Sequence, residues 1–146
     1  MMIQQLTPNF SLDEMLKSPT ASRKGFSEQF NPPATVIDSL TVLCVRLLQP
    51  IRDAYGKPMR VSSGYRCLRL NRAIGGAPKS QHLTGEAADL DMGSREANQQ
   101  LFEFILDLHK KGLIEFDQLI NEYNFAWVHI SFKRTGINRN QVLTVA

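Results

Sequence analysis

Cysteine is scarce in this 146-residue chain: only Cys44 and Cys67 occur, far apart in sequence. Two such thiols make no disulfide framework, and neither has the spacing of a zinc knuckle. Cys44 falls on an apolar helical face and reads as core. Cys67 follows Tyr65-Arg66, but nothing beside it marks a thiol of lowered pKa, so a cysteine nucleophile is set aside. No run of about 18 apolar residues occurs, and no membrane span is expected. The opening residues, Met1-Met2-Ile3-Gln4-Gln5-Leu6-Thr7-Pro8, have neither a basic nor an apolar signal region. The expectation is a chain that is made in the cytoplasm and initially stays there. Repeats and low-complexity tracts are also missing. The net charge is only +3, and apart from small groups such as Lys110-Lys111 the basic residues are scattered. With no nucleic-acid motif, they read as a solvated surface, and no nucleic-acid partner is expected.

What is present is an ordinary globular composition, 42% apolar and 21% charged, of a length that fits one domain over residues 1–146. Ser11-Leu12-Asp13-Glu14 is a capping-box signature and predicts a short helix. Residues 17–33 hold Ser, Thr, Gly, Asn and Pro and read as irregular. A long helix is expected over about 34–54. Its apolar residues, from Val36 to Ile51, recur at three and four, and Pro50 should kink it. Residues 59–62 read as a short strand, and 63–85 as site-building loop with one helical turn. Residues 86–92 alternate as a half-buried strand, with Asp89 and Asp91 on one side. Ser94 caps a second long helix over about 95–111, closed by Gly112. Strands near 115–122 and 126–132 form a hairpin through the loop Tyr123–Ala126. A polar tail from Lys133 ends in the short apolar piece 142–145. Helices and antiparallel strands fall in separate groups, which predicts an α+β fold.

Three histidines occur. His109 sits among lysines near the end of the second long helix. His82 stands in a loop just before the Asp89 strand, and His129 on a strand of the hairpin. Two imidazoles and one carboxylate are a donor set that zinc accepts, and they leave a coordination position for water. A lone strand histidine is more often a core residue, so this pattern by itself has modest weight.

The motif adds to it. Ser80-x-His82-x-x-Gly85-x-Ala87-x-Asp89, followed by Trp127-x-His129, resembles the zinc D-Ala-D-Ala carboxypeptidases, the M15 peptidases, and looks most similar to members that cleave peptidoglycan stem peptides. The resemblance takes in Asn9-Phe10-Ser11, Leu48-Gln49-Pro50-Ile51-Arg52, Ser63-Gly64-Tyr65-Arg66, Asn71 and Gly75-Gly76 as well. It implies an antiparallel sheet packed with helices, as in the hedgehog/DD-peptidase fold. It implies His82, Asp89 and His129 as ligands of Zn2+. It implies Arg66 as the cation that meets a substrate carboxylate or carbonyl, a task suited to a planar guanidinium. Ser80 and Trp127 are candidate substrate contacts. The implied partner is a peptidoglycan stem peptide or the D-Ala-D-Ala dipeptide, with the protein acting as a monomer.

Hydrolysis also needs a carboxylate to move a proton. Many relatives place an acid three residues before the second histidine, where this chain has Ala126. Hairpin geometry offers a substitute. If Tyr123–Ala126 is the loop, Glu122 pairs with Trp127 and shares the sheet face of His129. Glu122 is therefore the candidate base, and Asp117, of opposite parity, should face away. Asp91 reads as supporting or solvated. Absence of a signal fits a phage or prophage lysis enzyme, or a cytoplasmic dipeptidase. A different reading is a zinc-bearing binding or virion structural domain without turnover, which the lost acid at 126 favours.

Overall fold

The structure is a computed structural model, and it describes residues 4–146. Its centre is a five-stranded sheet ordered β3-β4-β6-β5-β7. The strands are β3 (Val61–Ser63), β4 (Ala87–Leu90), β5 (Gln118–Glu122), β6 (Trp127–Ser131) and β7 (Gln141–Val145). All neighbours pair antiparallel except β5 and β7, which are parallel. A small separate ribbon pairs β1 (Gln5–Thr7) with β2 (Phe10–Ser11). The mixture of helices and mainly antiparallel strands is α+β.

Alternation decides what each sheet face carries. Leu90, Val128, Ile130 and Leu119 point into the core, together with Met15, Leu40, Leu47, Ile51 and Ile105 from the helices. The other face carries Asp89, His129 and Ile120 directly abreast across β4, β6 and β5, and then Glu122 abreast of Trp127. β4 was expected to be half-buried, yet all four of its residues are buried. It is an interior strand, with the core on one face and the polar cluster around Asp89 on the other.

Helix α1 (Leu12–Leu16) begins as the capping box predicts, with Ser11 Oγ accepting from Glu14 N. The segment expected to be irregular holds α2 (Pro19–Lys24) and a 3-10 turn, Ser27–Phe30. Ser18 caps α2, Pro19 supplies its first turn and Gly25 closes it at φ 71°. These are helix start and stop signals, here spaced only one short helix apart.

The long helix runs as α3 (Ala34–Leu43), a π-helical stretch (Cys44–Leu48) and α4 (Gln49–Tyr55). Pro50 offers no N–H to the carbonyl four residues back, and the chain meets it with a widened turn immediately upstream. By length and mean hydropathy, Ala34–Tyr55 would be able to cross a bilayer. Its apolar face, Leu40, Leu43, Leu47, Leu48 and Ile51, is instead part of the core.

Helix α5 (Leu68–Ala73) and a 3-10 turn (Gln81–Thr84) give the 63–85 segment more helix than its Gly, Ser and Pro content suggests. Helix α6 (Arg95–Lys110) is capped by Ser94 and packs on β6. Its buried Asn98 donates to the carbonyls of Phe125 and Ala126 and accepts from Met92 N. One amide thus ties the end of β4 to the hairpin loop. That loop holds Tyr123, Asn124 and Phe125 all at positive φ.

Candidate metal centre

Three side chains from three elements converge. His82 lies on the 3-10 turn Gln81–Thr84, where Ser80 Oγ accepts from His82 N and Gly85 closes the turn at φ 77°. His82 Nδ1 is 2.6 Å from the Gly64 carbonyl oxygen. A carbonyl only accepts, so Nδ1 carries the proton and Nε2 presents a lone pair. That Nε2 lies 3.2 Å from Asp89 Oδ1, and His129 Nδ1 lies 3.1 Å from the same oxygen. A neutral His82 in this tautomer cannot donate to Asp89. A cation between them, either a proton or a metal, resolves the meeting of two lone pairs.

The three ligand atoms lie within 4.8 Å of one another, on residues that are all buried. Tetrahedral zinc with bonds of about 2.0–2.1 Å sets its donors roughly 3.3 Å apart, so the donor set and its spacing both fit such an ion. Burial alone would push the Asp89 carboxyl up. The charges and hydrogen bonds of His82 and His129 outweigh that and hold it well below the usual carboxylate range.

Gly64 is fixed by close approach. A Cβ there would collide with the Met15 carbonyl oxygen, whose backbone also accepts from Tyr65 N at 2.9 Å. The carbonyl that orients His82 therefore depends on a residue without a side chain.

Arg66 is seated by three acceptors: Ser63 Oγ (3.2 Å), Asn71 Oδ1 (3.3 Å) and Asp89 Oδ2 (3.3 Å). Asp89 thus offers one oxygen to the histidines and the other to a guanidinium. The cluster sits where two cavities meet. A polar one of about 450 Å³ includes Lys79, Ser80, Glu122, Tyr123 and Arg139. A second of about 290 Å³ includes Tyr65, Leu70, Ile74 and Trp127. Arg66 and Asp89 line both. Glu122 pairs with Trp127 across the hairpin, and its Oε1 is 4.0 Å from His129 Nδ1. Partial burial and the nearby Asp89 charge raise its pKa, against the pull of His129, His82 and Arg66.

Residues 8–131 match the Peptidase M15 family over most of the chain. The chain belongs to the M15 peptidase family. A 49-residue stretch is 47% identical to the zinc D-Ala-D-Ala carboxypeptidase of Streptomyces albus G, a match that covers 33% of this chain. It spans only 19% of that relative's length.

Not every polar residue singled out in this M15 sequence comes to the centre. His109 stacks on Phe116 and bonds Asn140. Asp91 is occupied by Gly93 N, Asn98 and Arg60. Asp117 does not line the cleft. It is fully buried beneath the cleft wall and accepts from Gln81 and Arg139, which do line it. Trp127 is in the second cavity, and its indole N–H is buried without a partner among the described residues. Arg139, Lys79 and Gln81 escaped the sequence reading. No local pattern marks Arg139, because its partner Asp117 is 22 residues away.

Proposed function

We propose that this chain is a zinc-dependent peptidase acting on peptidoglycan stem peptides, with His82, Asp89 and His129 holding the metal. The observation that carries this reading is the cluster itself: two imidazole nitrogens converge on one buried carboxylate oxygen at the floor of an open cleft. Family membership and the likeness to a zinc carboxypeptidase support it. A zinc ion bound there would supply a Lewis acid for the scissile carbonyl and make water acidic enough to attack near neutral pH.

The rest falls to the chain. Gly64 holds His82 in the tautomer that frees Nε2. Glu122, on the same sheet face as His129, takes the proton from the attacking water and returns it to the leaving amine. Arg66, kept in place by Ser63, Asn71 and Asp89, binds the substrate's carboxylate or carbonyl. Trp127, which lines the second cavity beside Arg66, offers the exposed part of its ring to the bound peptide.

A second reading, a zinc-bearing binding domain without turnover, is favoured by one feature: Ala126 stands where many relatives have an acid. Incubating zinc-loaded protein with purified peptidoglycan and with D-Ala-D-Ala decides between them. Release of peptide or alanine by the wild type is expected, falling about 10²–10⁴-fold in Glu122→Gln while zinc content is unchanged. An inactive wild type would leave the binding reading. Equal rates in both proteins would remove Glu122 from the mechanism.

A further inference from the structure

Two cations stand in the polar cavity outside the metal centre, Arg139 and Lys79. Arg139 is held in place from below. Asp117, with no exposed side-chain surface, accepts from Arg139 N and Nε at 3.0 Å through Oδ1 and from Nη2 at 2.7 Å through Oδ2. Gln81 Nε2 also donates to Oδ2, and Lys133 Nζ is 3.8 Å from Oδ1. One carboxylate therefore anchors two cations and its own oxygens are occupied. Arg139 Nη1 has no partner among the described residues, and about half of the side chain remains exposed. Lys79 is exposed and has no carboxylate within ion-pair distance among the described residues. This side of the cavity carries more positive charge than its own acids balance.

We propose that Arg139 and Lys79 form an anion subsite that selects peptides bearing a second carboxylate besides the group at the metal centre, with Asp117 as its positioning residue. The inference rests on the peptidase reading only in calling that peptide a substrate. A guanidinium fixed at one edge by a buried acid has lost its rotamer freedom in advance, and so loses less on binding a carboxylate at its free edge.

The test uses metal-free full-length protein and isothermal titration with two synthetic stem peptides. In one the glutamate α-carboxylate is free, and in the other it is amidated. The free acid should bind on the order of tenfold tighter than the amide. That preference should vanish in Arg139→Gln and shrink in Lys79→Gln. The second variant lies outside the Asp117 network, which keeps the test valid if Arg139→Gln fails to fold. Arg139→Lys should restore part of the preference. Equal affinity of wild type for the two peptides, no detectable binding of the free acid, or a preference unchanged in the variants that fold would overturn the subsite. A preference that follows Arg139 in a protein that cleaves neither peptide when zinc-loaded would overturn the peptidase reading and leave the subsite standing.

Discussion

Replacing Asp117 with asparagine isolates the energetics of the buried anchor. Burial raises the Asp117 carboxyl, but Arg139, through side-chain and backbone hydrogen bonds, and Gln81 outweigh it and hold its pKa at about 2, against an ordinary 3.8. The native state therefore favours the charged form, and a depressed carboxylate pKa stabilises the fold at pH values above its unfolded value. At about 1.4 kcal/mol per unit the shift corresponds to roughly 2.4 kcal/mol, and screening around the half-exposed Arg139 reduces this to about 1–2 kcal/mol. Urea unfolding of wild type and Asp117→Asn with chelator present, from about pH 7 down to pH 3, reads it directly. The gap between the two proteins should be constant above about pH 5, fall to near half by pH 3 and continue toward zero near pH 2. At neutral pH the variant should melt about 3–8 °C lower. A gap that stays constant across this range, or that grows as pH falls, would refute the account of Asp117 as a buried charged acceptor.

Three further outcomes are expected. Stoichiometric zinc should raise the melting temperature of the wild type, chelator should reverse the rise, and Asp89→Ala should abolish the response in a thermal-shift assay. Gly64→Ala should weaken zinc binding about 10–100-fold in competition with a chromophoric chelator, because the carbonyl that orients His82 must move away from Met15. Neither cysteine should react with Ellman's reagent before unfolding, since both are buried and burial pushes the Cys44 thiol up to about 12.

Local chemistry made parts of this molecule readable in advance. The capping serines at 11 and 94, the three-and-four spacing of the long helices and the four-residue loop at Tyr123–Ala126 all act within a few residues. The loop length alone sets Glu122 opposite Trp127. The His82 and His129 motifs could be found because each is compact. Long-range pairing was not readable in the same way. The tail strand β7 shows only a weak apolar pattern at 142–145, and its parallel partner lies across the hairpin. The π-helical turn at Cys44–Leu48 answers a proline downstream of it, with no signal of its own. Parity placed Asp117 off the Glu122 face but said nothing of Arg139. Their pairing depends on how the chain returns from β6, which local sequence does not encode.

That return has a consequence of its own. The segment from Phe132 to Asn140 leaves β6, crosses over and delivers β7 alongside β5, and on its way it carries Lys133 and Arg139 to Asp117. The His82, Asp89 and His129 cluster belongs to β4, β6 and the His82 turn, so the crossover contributes none of its side chains. Such an arrangement works as a cassette: exchanging these nine residues would change the charge on this wall of the cavity, while His82, Asp89 and His129 stay on their own elements.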